Sequence, residues 1–214
     1  MTYGLSATCL HSMTCAASDY PWVDRWKGET VVCIASGASL TEEQCSYTKG
    51  RARVITINDS FRLAPHADVF YACDHRWWER YRREVEAFAG ERWTMDERAA
   101  REFGIHHVLA QRQQGLNTER GRINHGCNSG FQVINLAYQF GAGRILLLGY
   151  DYQHTHGKRH WFGDHPAGWG NANRPERWLE NIATIESPVP IINCTTHTAI
   201  PESVFPRARL EDVL

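Results

Sequence analysis

Four histidines, His154, His156, His160 and His165, crowd one short segment directly after Tyr150-Asp151 and share it with Arg159, Trp161 and Asp164. Imidazole titrates near neutrality, so such a run can supply a general base. With Asp151 and Asp164 it also offers ligand types that suit zinc, manganese or iron, and His154-x-His156 is compact enough to chelate. The spacing matches neither a helical His-Glu-x-x-His nor a Cys/His zinc pattern, so a polar lid is the simpler reading and no metal ligand is assigned.

A second kind of chemistry belongs to Asn128-Ser129-Gly130, which precedes an apolar-periodic stretch. Asn128 or Ser129 can cap a helix there, and Gly130 lets an anion approach its positive end, which would suit a phosphate. Ser36-Gly37-Ala38-Ser39 stands between an apolar run and a helix start, the order that a nucleotide cradle requires; alone the pattern is weak, because many α/β turns carry such residues. Asn58-Asp59, Asp74 and Asp151 close three further apolar runs. Asn and Asp are good turn and cap residues wherever they occur, and only their recurrence at successive strand ends points to a site. Cys127, beside the same helix start, has no sequence-local partner that would make it a nucleophile.

These residues need a scaffold that gathers them, and the apolar runs describe one. Residues 30–35, 53–57, 68–72, 145–148 and 190–193 read as buried strands, with short strands at 93–94 and 107–109. Helices are expected over 20–27, from 41, over 75–89, from 128 or 129, and over 175–184. The arginines of 75–89 read as a solvated face. Residues 111–127 read as a polar loop and 152–173 as a His/Trp-rich lid. Continuous apolar strands alternating with helices predict a Rossmann-like, doubly wound, mostly parallel α/β sheet of five to seven strands, one domain over 1–214. Ligands of such sheets bind at the strands' carboxyl ends, where Gly149-Tyr150-Asp151 falls.

Composition narrows the partners. A net charge of −1 among 214 residues argues against generic nucleic-acid binding. No apolar run is long enough to span a bilayer and residues 1–6 do not begin a signal peptide, so a cytoplasmic protein is expected. The seven cysteines (Cys9, Cys15, Cys33, Cys45, Cys73, Cys127, Cys194) contain no Cys-x-x-Cys and read as thiols rather than a disulfide framework. Self-association into a homo-oligomer is compatible with all of this.

Taken together, the motifs resemble the bacterial sialyltransferases with a Rossmann-like nucleotide domain, and the superfamily that includes archaeal-type 6-hydroxymethylpterin diphosphokinases and flagellin-glycosylation factors. Ile34-Ala35-Ser36-Gly37-Ala38-Ser39-Leu40 is similar to the family's Gly-Asn-Gly-Pro-Ser-Leu loop, with Ser36 and Ala38 replacing its Asn and Pro. Thr56-Ile57-Asn58-Asp59 is similar to the second-strand Asn segment, Asn128-Ser129-Gly130 to Thr-Ser-Gly, and Gly149-Tyr150-Asp151-Tyr152 to Gly-Ile-Asp-Phe. The 193–200 segment weakly resembles a C-terminal Cys-x-Asn-Ser-x-Leu. The likeness extends to bacteriophage members, which would place a phage-encoded chain in the host cytoplasm.

The resemblance implies a nucleotide-sugar donor, CMP-linked in the sialyltransferases, a hydroxyl acceptor and an inverting displacement with a His base. His165 is the first choice for that base and His160 the second. Ser36, Gly37, Ser39, Asn58, Asp59, Asn128, Ser129 and Gly130 would bind the nucleotide; Tyr150 and Asp151 complete the catalytic set. No cofactor is required in that reading. A diphosphokinase-like transferase would instead gather Asp59, Asp74 and Asp151 around magnesium, and the altered first loop equally suits a non-catalytic module that binds nucleotide or protein in phage assembly or host takeover.

Overall fold

The computed structural model describes residues 20–169 and 175–214. Cys9, Cys15 and residues 170–173 of the expected lid lie outside them. The chain forms a seven-stranded α/β sheet in the order β5-β4-β3-β2-β1-β8-β9, and each pairing is parallel. The strands are β1 (Thr30–Ile34), β2 (Arg53–Ile57), β3 (Val69–Tyr71), β4 (Glu91–Thr94), β5 (His106–His107), β8 (Arg144–Leu148) and β9 (Ile191–Asn193). A separate parallel pair joins β6 (Leu109–Gln111) to β7 (Arg122–Asn124). Helices are α1 (Glu42–Tyr47), α2 (His75–Val85), α3 (Glu97–Phe103), α4 (Ser129–Gln139), α5 (Pro175–Ile182) and α6 (Leu210–Val213).

Strand alternation explains why the apolar runs are continuous. Val31, Cys33, Ile145 and Leu147 join the core that contains α4, while Val32, Ile34, Leu146 and Leu148 join the one that contains residues of α1, α2 and α3. Both faces are covered, so the interior positions of the central strands are almost all apolar, with Thr56 of β2 and Thr94 of β4 as buried polar exceptions. The edge strands β5 and β9 have two and three residues; short edges offer little template for pairing with another chain.

Three expectations need correction. Residues 21–28 form turns instead of a helix, with Trp26 buried in the core and the chain tied by Trp26 N–H to the Phe140 carbonyl at 2.7 Å. The expected 107–109 strand divides at Val108, whose burial and N–H bond to the Thr94 carbonyl at 2.9 Å separate β5 from β6. The polar 111–127 stretch contains β7 and is ordered by amides of α4, since Gln132, Asn135 and Gln139 are all buried. Their spacing of three and four places them on one stripe of the helix. Among the described residues, no helix is long and apolar enough to cross a membrane.

Candidate active site

The winding of the sheet dictates where a cleft must open. From β1 the chain winds out through β2 to β5, while β8 and β9 lie on the other side of β1. Sheets wound in this way bind ligands outside the carboxyl ends of their strands, near the point where the winding reverses. A cleft of about 720 Å³ occupies this end of the sheet, lined by the loops after β1, β2, β3 and β8, the start of α4 and the lid.

The loop after β1 is built differently from a phosphate cradle. Asp151, only 2% exposed, accepts from Ser39 N–H at 2.9 Å, Ser39 Oγ at 2.6 Å and Thr155 Oγ1 at 2.6 Å. Gly37 N–H donates to the Gly149 carbonyl at 2.8 Å. A Cβ at Gly37 would lie 2.1 Å from Asp151 Oδ1 and 2.5 Å from the Gly149 oxygen, so the residue is small in order to admit Asp151. The amides of Gly37 and Ser39 that a phosphate would use are already committed. Asp151 is a clamp between two loops, and Ser39 is its partner outside the cleft lining.

The other predicted residues divide similarly. Ser36, Gly37, Asn58, Asn128, Ser129, Gly130, Asp151, His160 and His165 line the cleft, whereas Ser39, Asp59 and Tyr150 do not. Asp59 is buried, ion-paired with Arg62 and bonded by Trp77 Nε1 at 3.3 Å. Tyr150 is core: it is 1% exposed and donates its hydroxyl to the Gly130 carbonyl at 3.1 Å. Burial holds its phenol well above the ordinary value, which leaves it unsuited to proton transfer. His154 and His156 also lie outside the lining.

Helix α4 supplies the strongest anion-binding feature. Asn128 caps it, Oδ1 accepting Phe131 N–H at 3.1 Å and the Tyr152 hydroxyl at 3.0 Å. The N–H groups of Ser129 and Gly130 precede the first intrahelical donor and face the positive end of the helix dipole. A Cβ at Gly130 would meet Asn128 Oδ1 at 2.8 Å and the Tyr150 ring at 2.9 Å, so packing, too, requires glycine here. Asn58, Cys127 and Tyr152 have φ of 49°, 53° and 52° and all line the cleft. Left-handed non-glycine residues are sparse in proteins and concentrate at functional sites.

The lid completes the lining with Arg159, His160, His165 and Trp169. Trp161 latches it, its N–H bonding the Ser36 carbonyl at 3.2 Å and its indole N–H the Ser60 hydroxyl at 3.1 Å. The rings of His160 and His165 lie 4.9 Å apart. His160 Nδ1 meets the Gly163 carbonyl at 3.1 Å, and its ring stacks on Phe162. Burial first, and then His165, pushes His160 down to about 4. Burial also lowers His165, while Asp59, Asp164 and Asp74 oppose that shift.

These shifts predict a pH response. A histidine whose pKa is lower in the folded chain contributes stability that is present above its unfolded pKa and is lost as pH falls toward its folded value. Between pH 6.5 and 4, stability should therefore fall, by on the order of 1 to 2 kcal/mol at pH 5 from His160. Urea midpoints measured from pH 7.5 to 5 should show the decline, and His160→Gln should flatten it; equal slopes would reject this account.

Sequence reasoning missed several lining residues. His125, His75 and Arg76 enter from the loop before α4 and the start of α2, beside the strand-end Asp74 that the sequence had singled out. Arg76 is exposed, as a solvated face expects, and its guanidinium sits 5.3 Å over the Trp169 ring. A signal existed for that element: it begins directly after a strand end, where ligands approach. Among the described residues, no group of three or more His, Cys, Asp and Glu side chains could hold a metal ion, and the strand-end acids Asp59, Asp74 and Asp151 do not gather. Cys33, Cys45, Cys73, Cys127 and Cys194 are free thiols, and burial pushes Cys73 up to about 12. No protein-family model, curated protein or solved structure matches the chain.

Proposed function

We propose that the chain is a transferase that takes a nucleotide-linked sugar, CMP-linked in the first instance, and passes the sugar to a hydroxyl acceptor in one inverting displacement. The observation that carries this reading is that the first turn of α4 and the adjoining His160–His165 pair line one cleft. The donor's phosphate fits the Ser129 and Gly130 amides, which provide preorganised hydrogen bonds without a side-chain charge. Arg76 and Arg159 add cationic groups to the lining, although Arg159 is partnered by Asp164 at 2.6 Å. The volume of about 720 Å³ lies within the range for small-ligand sites.

His165 is the base. Burial lowers the His165 pKa, and the carboxylates that oppose that shift favour the imidazolium formed as the acceptor loses its proton. His160 packs beside it as a neutral ring. Asp151 acts through Ser39 and Thr155 by fixing both loops, and is a positioning residue.

The test is thermal unfolding with CMP, CDP, UDP, GDP, ADP and ATP, each with and without magnesium or manganese. CMP should stabilise the chain without metal, by about 2.7 kcal/mol at 100 times its Kd. Stabilisation by ATP with magnesium alone would replace this reading with diphosphate transfer. The absence of a shift with every nucleotide would replace it with a protein-binding module.

A further inference from the structure

We propose that His125 is a neutral hydrogen-bond donor to the departing phosphate, presenting Nε2–H beside the first turn of α4; the proposal rests on the nucleotide-donor reading above. His125 lies between β7 and the cap Asn128, and lines the cleft with Ser129 and Gly130. Its Nδ1 accepts the Cys127 N–H at 3.0 Å. A backbone N–H can only donate, so Nδ1 carries a lone pair and the ring proton of the neutral form sits on Nε2.

The surrounding bonds hold this residue in place. His125 N–H donates to the Gln111 carbonyl at 2.8 Å. Its own carbonyl accepts from Gln132 Nε2 at 2.8 Å, and Gln132 Oε1 is held by the Tyr71 hydroxyl at 2.9 Å. Gly126 and Cys127 are both left-handed, with φ of 52° and 53°; that turn brings the Cys127 N–H back onto the imidazole. A donor fixed at its backbone and at its second ring nitrogen has little reorganisation to undergo when charge develops.

His160 is set the other way. Its Nδ1 faces a carbonyl, which can only accept, so the proton lies on Nδ1 and the lone pair on Nε2. The cleft therefore contains histidines of opposite tautomer, one kind suited to donating and the other to accepting. Burial and Arg112 lower the His125 pKa, against Asp74, in keeping with a neutral ring.

In the displacement, the acceptor oxygen forms its bond to the sugar carbon as its proton passes to His165. The bond from that carbon to the phosphate oxygen breaks, and its electron pair stays on the phosphate. His125 Nε2–H and the α4 amides hydrogen-bond the new charge, and His125 keeps its proton.

Ring-nitrogen NMR of the full chain labelled with ¹⁵N-histidine tests this directly, with His125→Gln and His160→Gln spectra for assignment. His125 should appear as the Nε2–H tautomer and His160 as the Nδ1–H tautomer. Adding CMP, and separately inorganic diphosphate, should shift the His125 Nε2–H. By calorimetry, His125→Phe should weaken CMP binding by about 10- to 100-fold, whereas His125→Gln, which keeps a distal N–H, should stay within about threefold. The opposite tautomer at His125, an unmoved Nε2–H in CMP-saturated protein, or wild-type affinity in His125→Phe would each overturn the proposal. If no nucleotide binds but diphosphate still shifts His125, the nucleotide-donor reading fails and the anion-donor role of His125 stands; if neither binds, both fail.

Discussion

Replacing Asp151 by alanine should lower stability by about 3 to 5 kcal/mol and abolish nucleotide binding. The carboxylate receives three donors in a setting that is almost closed to solvent. Its removal strands the Ser39 amide and two hydroxyls, and unmet buried donors cost more than the bonds they formed. It also leaves the loops after β1 and β8, both of which line the cleft, joined only through backbone bonds such as Gly37 N–H to the Gly149 carbonyl. Asp151→Asn should fall between, because one oxygen remains to accept while the amide nitrogen faces donors. Urea unfolding and CMP titration would measure both effects. An alanine variant that is as stable as the parent and still binds CMP, but transfers no sugar, would move Asp151 from the scaffold into the chemistry.

The second large effect lies away from the clamp, at Asn135. Its Oδ1 accepts the backbone N–H groups of Asn117 at 2.8 Å and Asn124 at 3.2 Å. Asn117 Nδ2 then reaches Asn124 Oδ1 at 3.0 Å, and Asn124 Nδ2 donates to the carbonyls of Gln114 and Gly115. Asn135→Leu preserves bulk but leaves two buried backbone donors without an acceptor, which should cost about 3 to 5 kcal/mol. Because His125 follows Asn124, the variant should also weaken CMP binding after correction for the folded fraction. Chemical denaturation paired with calorimetry decides the matter. A loss below about 1 kcal/mol would mean that water readily replaces the Asn135 carbonyl.

The sheet was legible because burial on both faces leaves a plain mark. The central strands are nearly continuous apolar runs, broken in β2 by Thr56, and the residues that follow them are polar or small. The site was legible only as far as position along the chain carried it. Asn128, Ser129, His160 and His165 were found because they follow a recognisable cap or occupy one dense segment. Tyr150 and Asp59 were misplaced because a polar residue at a strand end can turn inward as easily as outward, and neither local spacing nor composition records which. Ser39 and Gly37 served a buried carboxylate 112 positions away in the case of Ser39, a partnership no local pattern encodes. His125 was overlooked because residues 111–127 were read only as a polar loop with no residue singled out for chemistry, although Gln132, Asn135 and Gln139 form a stripe of amides in an otherwise apolar helix. Buried amides require partners, and that stripe was the readable sign that an ordered polar segment lay across α4.

The pairing of β1 with β8 sets an order on the assembly of the cleft. Thr30 and Arg144, opposite one another at its start, are 114 positions apart. Strands β1 to β5 can pair in sequence as the chain emerges, but one edge of β1 stays open until β8 arrives. Closing so long a loop is entropically expensive before any contact rewards it, and parallel pairings of this kind fold slowly. The two loops that Asp151 joins belong to those two strands, so the nascent protein closes the open edge of β1 and brings those loops together in the same late step.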